Sequence, residues 1–128
     1  MSRLGWAVVI GVVALIATGG GAAVAFAIKP GVFGDLQPEM DPVMPTISSI
    51  WSAHGLGIPT ITSIQDGDHA ADSKHYVGLA VDIRLNDIDP DLHETLSSEV
   101  QSALGSQFWI LHEYHGTASD HLHIQYNG

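Results

Sequence analysis

The chain of 128 residues contains no cysteine. That removes disulfides, thiolate metal ligands and cysteine nucleophiles together. Basic residues are nearly as scarce. Four Lys and Arg stand against fourteen Asp and Glu, for a formal net charge of −10. After residue 30 the only basic residues are Lys74 and Arg84. With no stripe of positive charge to neutralise phosphates, a nucleic-acid partner is not expected. Histidine is what the chain has in excess. There are eight, and they cluster late in the sequence.

Hydrophobicity is unevenly spread. Residues 4–28 carry no charge and are dominated by Ala, Val, Ile and Gly. Such a run exceeds the roughly 18–20 residues that cross a bilayer as a helix. Residues 1–29 are therefore predicted to be one N-terminal transmembrane helix, a retained anchor. A cleaved signal peptide is the alternative, because Ala25-Phe26-Ala27 has the A-x-A form of a cleavage site. The remainder is expected outside the cytoplasm, either membrane-anchored or secreted after cleavage. Arg3 and Lys29 flank the run, so charge gives it little direction. Residues 30–45 hold four prolines and read as a linker. The folded domain is then 46–128. A core of that size is marginal, and a bound metal would support it.

Within the domain, Ile47, Ile50, Trp51 and His54 have helical spacing. The stretch "IPTITSI" is β-rich and predicts a strand. In "VGLAVDIRL", Val77, Leu79, Val81, Ile83 and Leu85 alternate with Gly78, Ala80, Asp82 and Arg84, as in a strand with one apolar face. In "DPDLHETLSSEVQSALG", Leu92, Leu96, Val100 and Leu104 form a helical stripe. Pro90 suits its first turn, Asp91-x-x-Glu94 has capping-box form, and Gly105 ends it. "QFWILHE" and "HLHIQY" read as two more strands. The order helix, strand, strand, helix, strand, strand predicts an α+β domain. It would hold a small antiparallel sheet with flanking helices.

The histidines carry the chemistry. On a strand, His121, His123 and Gln125 share one face, while Leu122, Ile124 and Tyr126 take the other. Asp82 lies on the face of its strand opposite the apolar residues, and His75 sits just ahead of that strand. His75, Asp82 and His123 would supply two imidazoles and a carboxylate. That set suits one Zn²⁺ or a similar divalent ion with one coordination position left open. A further polar group is then needed to take a proton from the attacking water. Asp120, His121 and Glu113 are the candidates. His112 and His115 read as loop or surface residues, and His54, His69 and His93 receive no role.

These residues also carry a family resemblance. Ser73-x-His75-x-x-Gly78-x-Ala80-x-Asp82 resembles the S-x-H-x-x-G-x-A-x-D signature of the zinc D-Ala-D-Ala carboxypeptidases and related phage endolysin peptidases (peptidase family M15). They share a fold with the hedgehog signalling domain. Asp120-x-x-His123 resembles the family's acid-x-x-His, and His121-x-His123 its H-x-H. The resemblance spans about residues 58–127. It implies His75, Asp82 and His123 as ligands of one zinc ion, Asp120 as general base and His121 as a second catalytic residue. It also implies peptidoglycan stem peptides as substrate. Members acting on D-Ala-D-Ala often carry an Arg before the signature. Here "TSIQDGD" has none, so an endopeptidase is favoured over a carboxypeptidase. The alternative is a membrane-tethered, catalytically inactive cell-wall-binding module of the same fold.

Overall fold

The computed structural model describes residues 5–8, 13–17, 23–67 and 69–128, with side chains from residue 24 onward. Among the described residues seven strands and two α-helices follow in chain order: β1 Gly5–Val8, β2 Val13–Ala17, β3 Ala23–Ile28, α1 Val43–Ala53, β4 Thr60–Ser63, β5 Ala80–Arg84, α2 Pro90–Leu104, β6 Phe108–Glu113 and β7 His121–Tyr126. One sheet runs in the order β1-β2-β3-β4-β5-β7-β6. The α+β class expected from the sequence holds. The sheet is mixed rather than purely antiparallel, because β3 pairs with β4 in parallel.

The strand alternation decides which face does what. Val81 and Ile83 of β5 and Leu122 and Ile124 of β7 are fully buried. They meet Met44, Ile47 and Trp51 of α1 and Leu96 and Val100 of α2 in one core. Both helices thus cover one face of the sheet. The opposite face carries Asp82, Arg84, His121, His123 and Gln125. Only the residues on the covered face need be apolar, and that accounts for the period of two.

Helix α2 starts where Pro90 suggests, but its cap is Asp89, whose side chain accepts from the Asp91 N–H at 3.0 Å. Gly105 closes it with a positive φ of 87°. Helix α1 begins at Val43, earlier than Ile47. Pro45 lies in its first turn, where a missing N–H costs nothing. The Pro-rich stretch 30–45 also feeds the core, since Leu36, Met40, Val43 and Met44 are all buried.

The described residues do not support the expected N-terminal transmembrane helix. Among the described residues no helix is long and apolar enough to cross a membrane. The described parts of the run are strands β1, β2 and β3. Residues 1–4, 9–12 and 18–22 of the expected anchor lie outside the described residues. The β-branched residues Val8, Val13, Ile16, Val24 and Ile28 suit these described strands. Strand β3 is part of the core. Phe26 is 1% exposed, and Val24, Ala27 and Ile28 are buried with it. Phe26→Ala is therefore expected to destabilise the fold by about 3–5 kcal/mol. Urea unfolding of the purified chain checks this. An unchanged midpoint would mean that Phe26 lies outside the folded unit.

Candidate metal centre

Each residue of the Ser73–Asp82 motif has a physical task. Ser73 caps a 3-10 turn, Lys74–Val77, by accepting from the His75 N–H at 3.1 Å. Gly78 ends that turn in the left-handed region with φ 75°. A side chain on Gly78 would also collide with the Asp35 carbonyl oxygen. The turn swings His75 back over β5, where it is 1% exposed. Ala80 is fully buried ahead of Asp82 on the same face. Cross-strand register does the rest, because Asp82 pairs directly with His123 of β7.

The result is a tight triangle. His75 Nε2 lies 3.2 Å from Asp82 Oδ1 and 3.2 Å from His123 Nδ1. His123 Nδ1 lies 3.0 Å from the same Asp82 oxygen. All three residues are buried. The outer nitrogens are anchored elsewhere. His75 Nδ1–H donates to the Ile64 carbonyl at 2.7 Å. His123 Nε2 is held by the side-chain amide of Gln125 at 2.6 Å. The inward Nε2 of His75 then presents a lone pair to His123 Nδ1 and to a carboxylate. That arrangement is repulsive until a proton or a cation enters it.

A divalent ion fits. Tetrahedral bonds of about 2.0–2.1 Å hold their ligand atoms about 3.3 Å apart, close to the separations found here. The buried His75, Asp82 and His123 can therefore hold a metal ion. Two nitrogens and one oxygen leave room for a further ligand from the solvent side.

His121 stands beside the triangle. Its Nδ1–H donates to the Ser119 carbonyl at 2.7 Å. Its Nε2 faces Glu113 Oε1 at 3.0 Å and Asp82 Oδ2 at 3.5 Å. Glu113 is directly opposite His121 in the β6–β7 register. Asp120, expected as the general base, is engaged elsewhere. It lines a cavity with Asp82 and His121, but its carboxylate is bound by His112 Nε2 and by the Gly116 N–H at 2.8 Å. The cause is strand alternation, which turns His121 and His123 to the open face and brings Asp120 toward α2.

Some histidines without an assigned role find one. His69 stacks on His75 with ring centroids 4.0 Å apart. His54 bonds Glu99 at 2.8 Å and ties α1 to α2. His93 of α2 and His112 of β6 gather around Asp120. Only the tertiary fold brings α2 over β6, so no local spacing could have signalled this group.

Two cavities flank the triangle. One of about 340 Å³ is lined by Lys29, Arg84, Asp82 and His121 among others. The other, about 550 Å³, is lined by Lys74, His75, Glu113 and His123 among others. All three basic side chains among the described residues therefore border the site. The chain matches no protein-family model, no curated protein and no solved structure. Its fold and site define it as an α+β protein with buried His/Asp groups able to hold a metal ion.

Electrostatics sets the pH response. Burial opposes ionisation of Asp82, but hydrogen bonds from His123 and His75 outweigh it and hold the carboxyl well below the usual carboxylate range. Burial likewise opposes charge on His123, yet Asp82 and Gln125 outweigh it and raise its pKa above the ordinary 6.5. A raised histidine pKa stabilises the fold below 6.5, and that contribution is lost as pH rises through the folded value. A lowered Asp82 pKa contributes above 3.8 and is lost as pH falls through the folded value. The metal-free chain should therefore lose stability as pH climbs above 6.5, and His123→Gln should flatten that slope. Thermal unfolding in chelator across pH 5 to 9 checks this. A wild-type slope retained in His123→Gln would contradict it.

Proposed function

We propose that the protein is a zinc-dependent peptidase that hydrolyses peptidoglycan stem peptides. The carrying observation is the convergence of the S-x-H-x-x-G-x-A-x-D motif with His123 on one buried His-Asp-His triangle. Each motif residue has a task in building that triangle. The set of two imidazoles and one carboxylate suits Zn²⁺. A bound zinc ion would polarise the scissile carbonyl and lower the pKa of the attacking water.

The chain's own residues would supply the remaining chemistry. His75, Asp82 and His123 would hold the ion. Glu113 and His121, in mutual contact and beside Asp82, would take the proton from the attacking water and deliver it to the leaving amine. His121 would also donate to the developing oxyanion. Glu113 replaces Asp120 as the favoured base, because His112 and Gly116 occupy the Asp120 carboxylate. Lys29, Lys74 and Arg84 form a cationic border in an otherwise acidic chain. That border suits carboxylate-bearing peptides such as those of the cell wall. Trp109 and Leu111 are exposed on edge strand β6, on the face that carries Glu113. They would offer an extended peptide an apolar wall. The substrate requires the domain to act outside the cytoplasm.

A second reading keeps the metal and drops turnover, giving a cell-wall-binding module of the same fold. The engaged state of Asp120 is what favours it. Digestion of purified peptidoglycan, with products read by mass spectrometry, separates the two. The peptidase should release peptides, stop with chelator and recover with zinc. His123→Ala should lose metal and hydrolysis together. Glu113→Gln should keep the metal and lose about 100- to 10,000-fold in kcat, the usual worth of a positioned acid-base group. Asp120→Asn should keep most of the turnover. Loss of turnover in Asp120→Asn alone would return the base to Asp120. Absence of products from the metal-loaded wild type would leave the binding module.

A further inference from the structure

A second group of ligand-type side chains lies on the helix-covered face of the sheet, away from the triangle. His93 comes from the first turns of α2, His112 from β6, and Asp120 from the residue before β7. We propose that His93, His112 and Asp120 form a second metal site. It would take a divalent transition ion such as Zn²⁺ or Co²⁺ and tie α2 to the β6–β7 hairpin. The inference does not depend on hydrolytic activity at the first site.

The tautomer of His93 is the first observation. Its Nε2–H donates to the Ile88 carbonyl at 2.9 Å. The neutral ring therefore turns the lone pair of Nδ1 toward Asp120 Oδ2, 3.7 Å away and beyond hydrogen-bond reach. Oδ2 also accepts from the Gly116 N–H at 2.8 Å, but the Nδ1 lone pair has no donor, and a proton or a cation between the two acceptors would relieve the contact. The first site uses the same device, where the Ile64 carbonyl fixes His75. A backbone carbonyl holding the outer nitrogen is the usual way to orient a metal-binding imidazole.

The second observation is the donor geometry. His112 Nε2 lies 2.5 Å from Asp120 Oδ1. The separations of 2.5 and 3.7 Å bracket the about 3.3 Å that tetrahedral ligands adopt, so small movements would close the site. His93 is 5% and Asp120 4% exposed. The Gly116 N–H fixes the other side of the carboxylate at 2.8 Å. A cavity of about 280 Å³ borders all three residues and is also lined by Glu94 and His115, leaving space for a fourth ligand. His115 reinforces His112 by stacking on its ring with centroids 3.5 Å apart.

Occupancy of this site would also reach the first one. The β6–β7 loop that it clamps carries Tyr114, whose ring lies 5.6 Å from that of His121. Tyr114 also has a positive φ of 57°, a conformation the loop must be held in.

The test counts ions in the full chain. Protein stripped with chelator is titrated with Co²⁺, desalted and analysed for metal, with absorption spectra recorded alongside. The wild type should hold two equivalents, His75→Gln one and His93→Gln one. His112→Gln is run beside His93→Gln, and the count is taken on whichever keeps the wild-type circular dichroism spectrum. One equivalent in the wild type, lost in His75→Gln and kept in His93→Gln, overturns the second site alone. Two equivalents surviving in both His93→Gln and His112→Gln also overturn it. No binding at all overturns both sites together.

Discussion

The cross-strand pair of Asp82 and His123 is the constraint on which the site depends. A one-residue slip between β5 and β7 would move every side chain of one strand to the opposite face. Asp82 would then face a leucine or isoleucine, and His123 would enter the core. The register is held because Val81, Ile83, Leu122 and Ile124 must all point into the same core. Burial of four aliphatic side chains thus fixes where a carboxylate and an imidazole meet. His75 is added from outside the sheet, by a turn whose cap and exit are Ser73 and Gly78.

Charge explains why such a triangle can persist. A buried carboxylate surrounded by lone pairs would be costly on its own. Asp82 is compensated once a proton or a cation sits between it and the two imidazoles, whose outer nitrogens are held by the Ile64 carbonyl and the Gln125 amide. The same logic recurs at His121 and at His93, whose outer nitrogens are held by the Ser119 and Ile88 carbonyls. A chain without cysteine has only imidazoles and oxygens to build metal sites. Eight histidines against four Lys and Arg are consistent with that use.

Much of this was legible in the sequence, and the unread parts share physical causes. Strands β5 and β7 show clean alternation, so the face shared by Asp82, His121 and His123 could be read directly. Helix α2 announced itself through its leucine stripe, Pro90 and Gly105. The described parts of the N-terminal run pair as strands, and hydropathy scores total apolarity, so an apolar run of that length looks the same whether it crosses a bilayer or forms strands. Residues 30–45 looked like a linker because four prolines obscured the apolar positions Leu36, Met40, Val43 and Met44. The pairing of Asp120 with His93 and His112 joins α2 to β6 and β7, and no local pattern encodes such contacts.

His75, Asp82 and His123 are proposed to ligate one ion. Anomalous diffraction at the zinc edge, from crystals of the metal-loaded chain, tests it most directly. A peak is expected within about 2.0–2.2 Å of His75 Nε2, Asp82 Oδ1 and His123 Nδ1. Crystals of the zinc-loaded chain with no peak among those three atoms would contradict it.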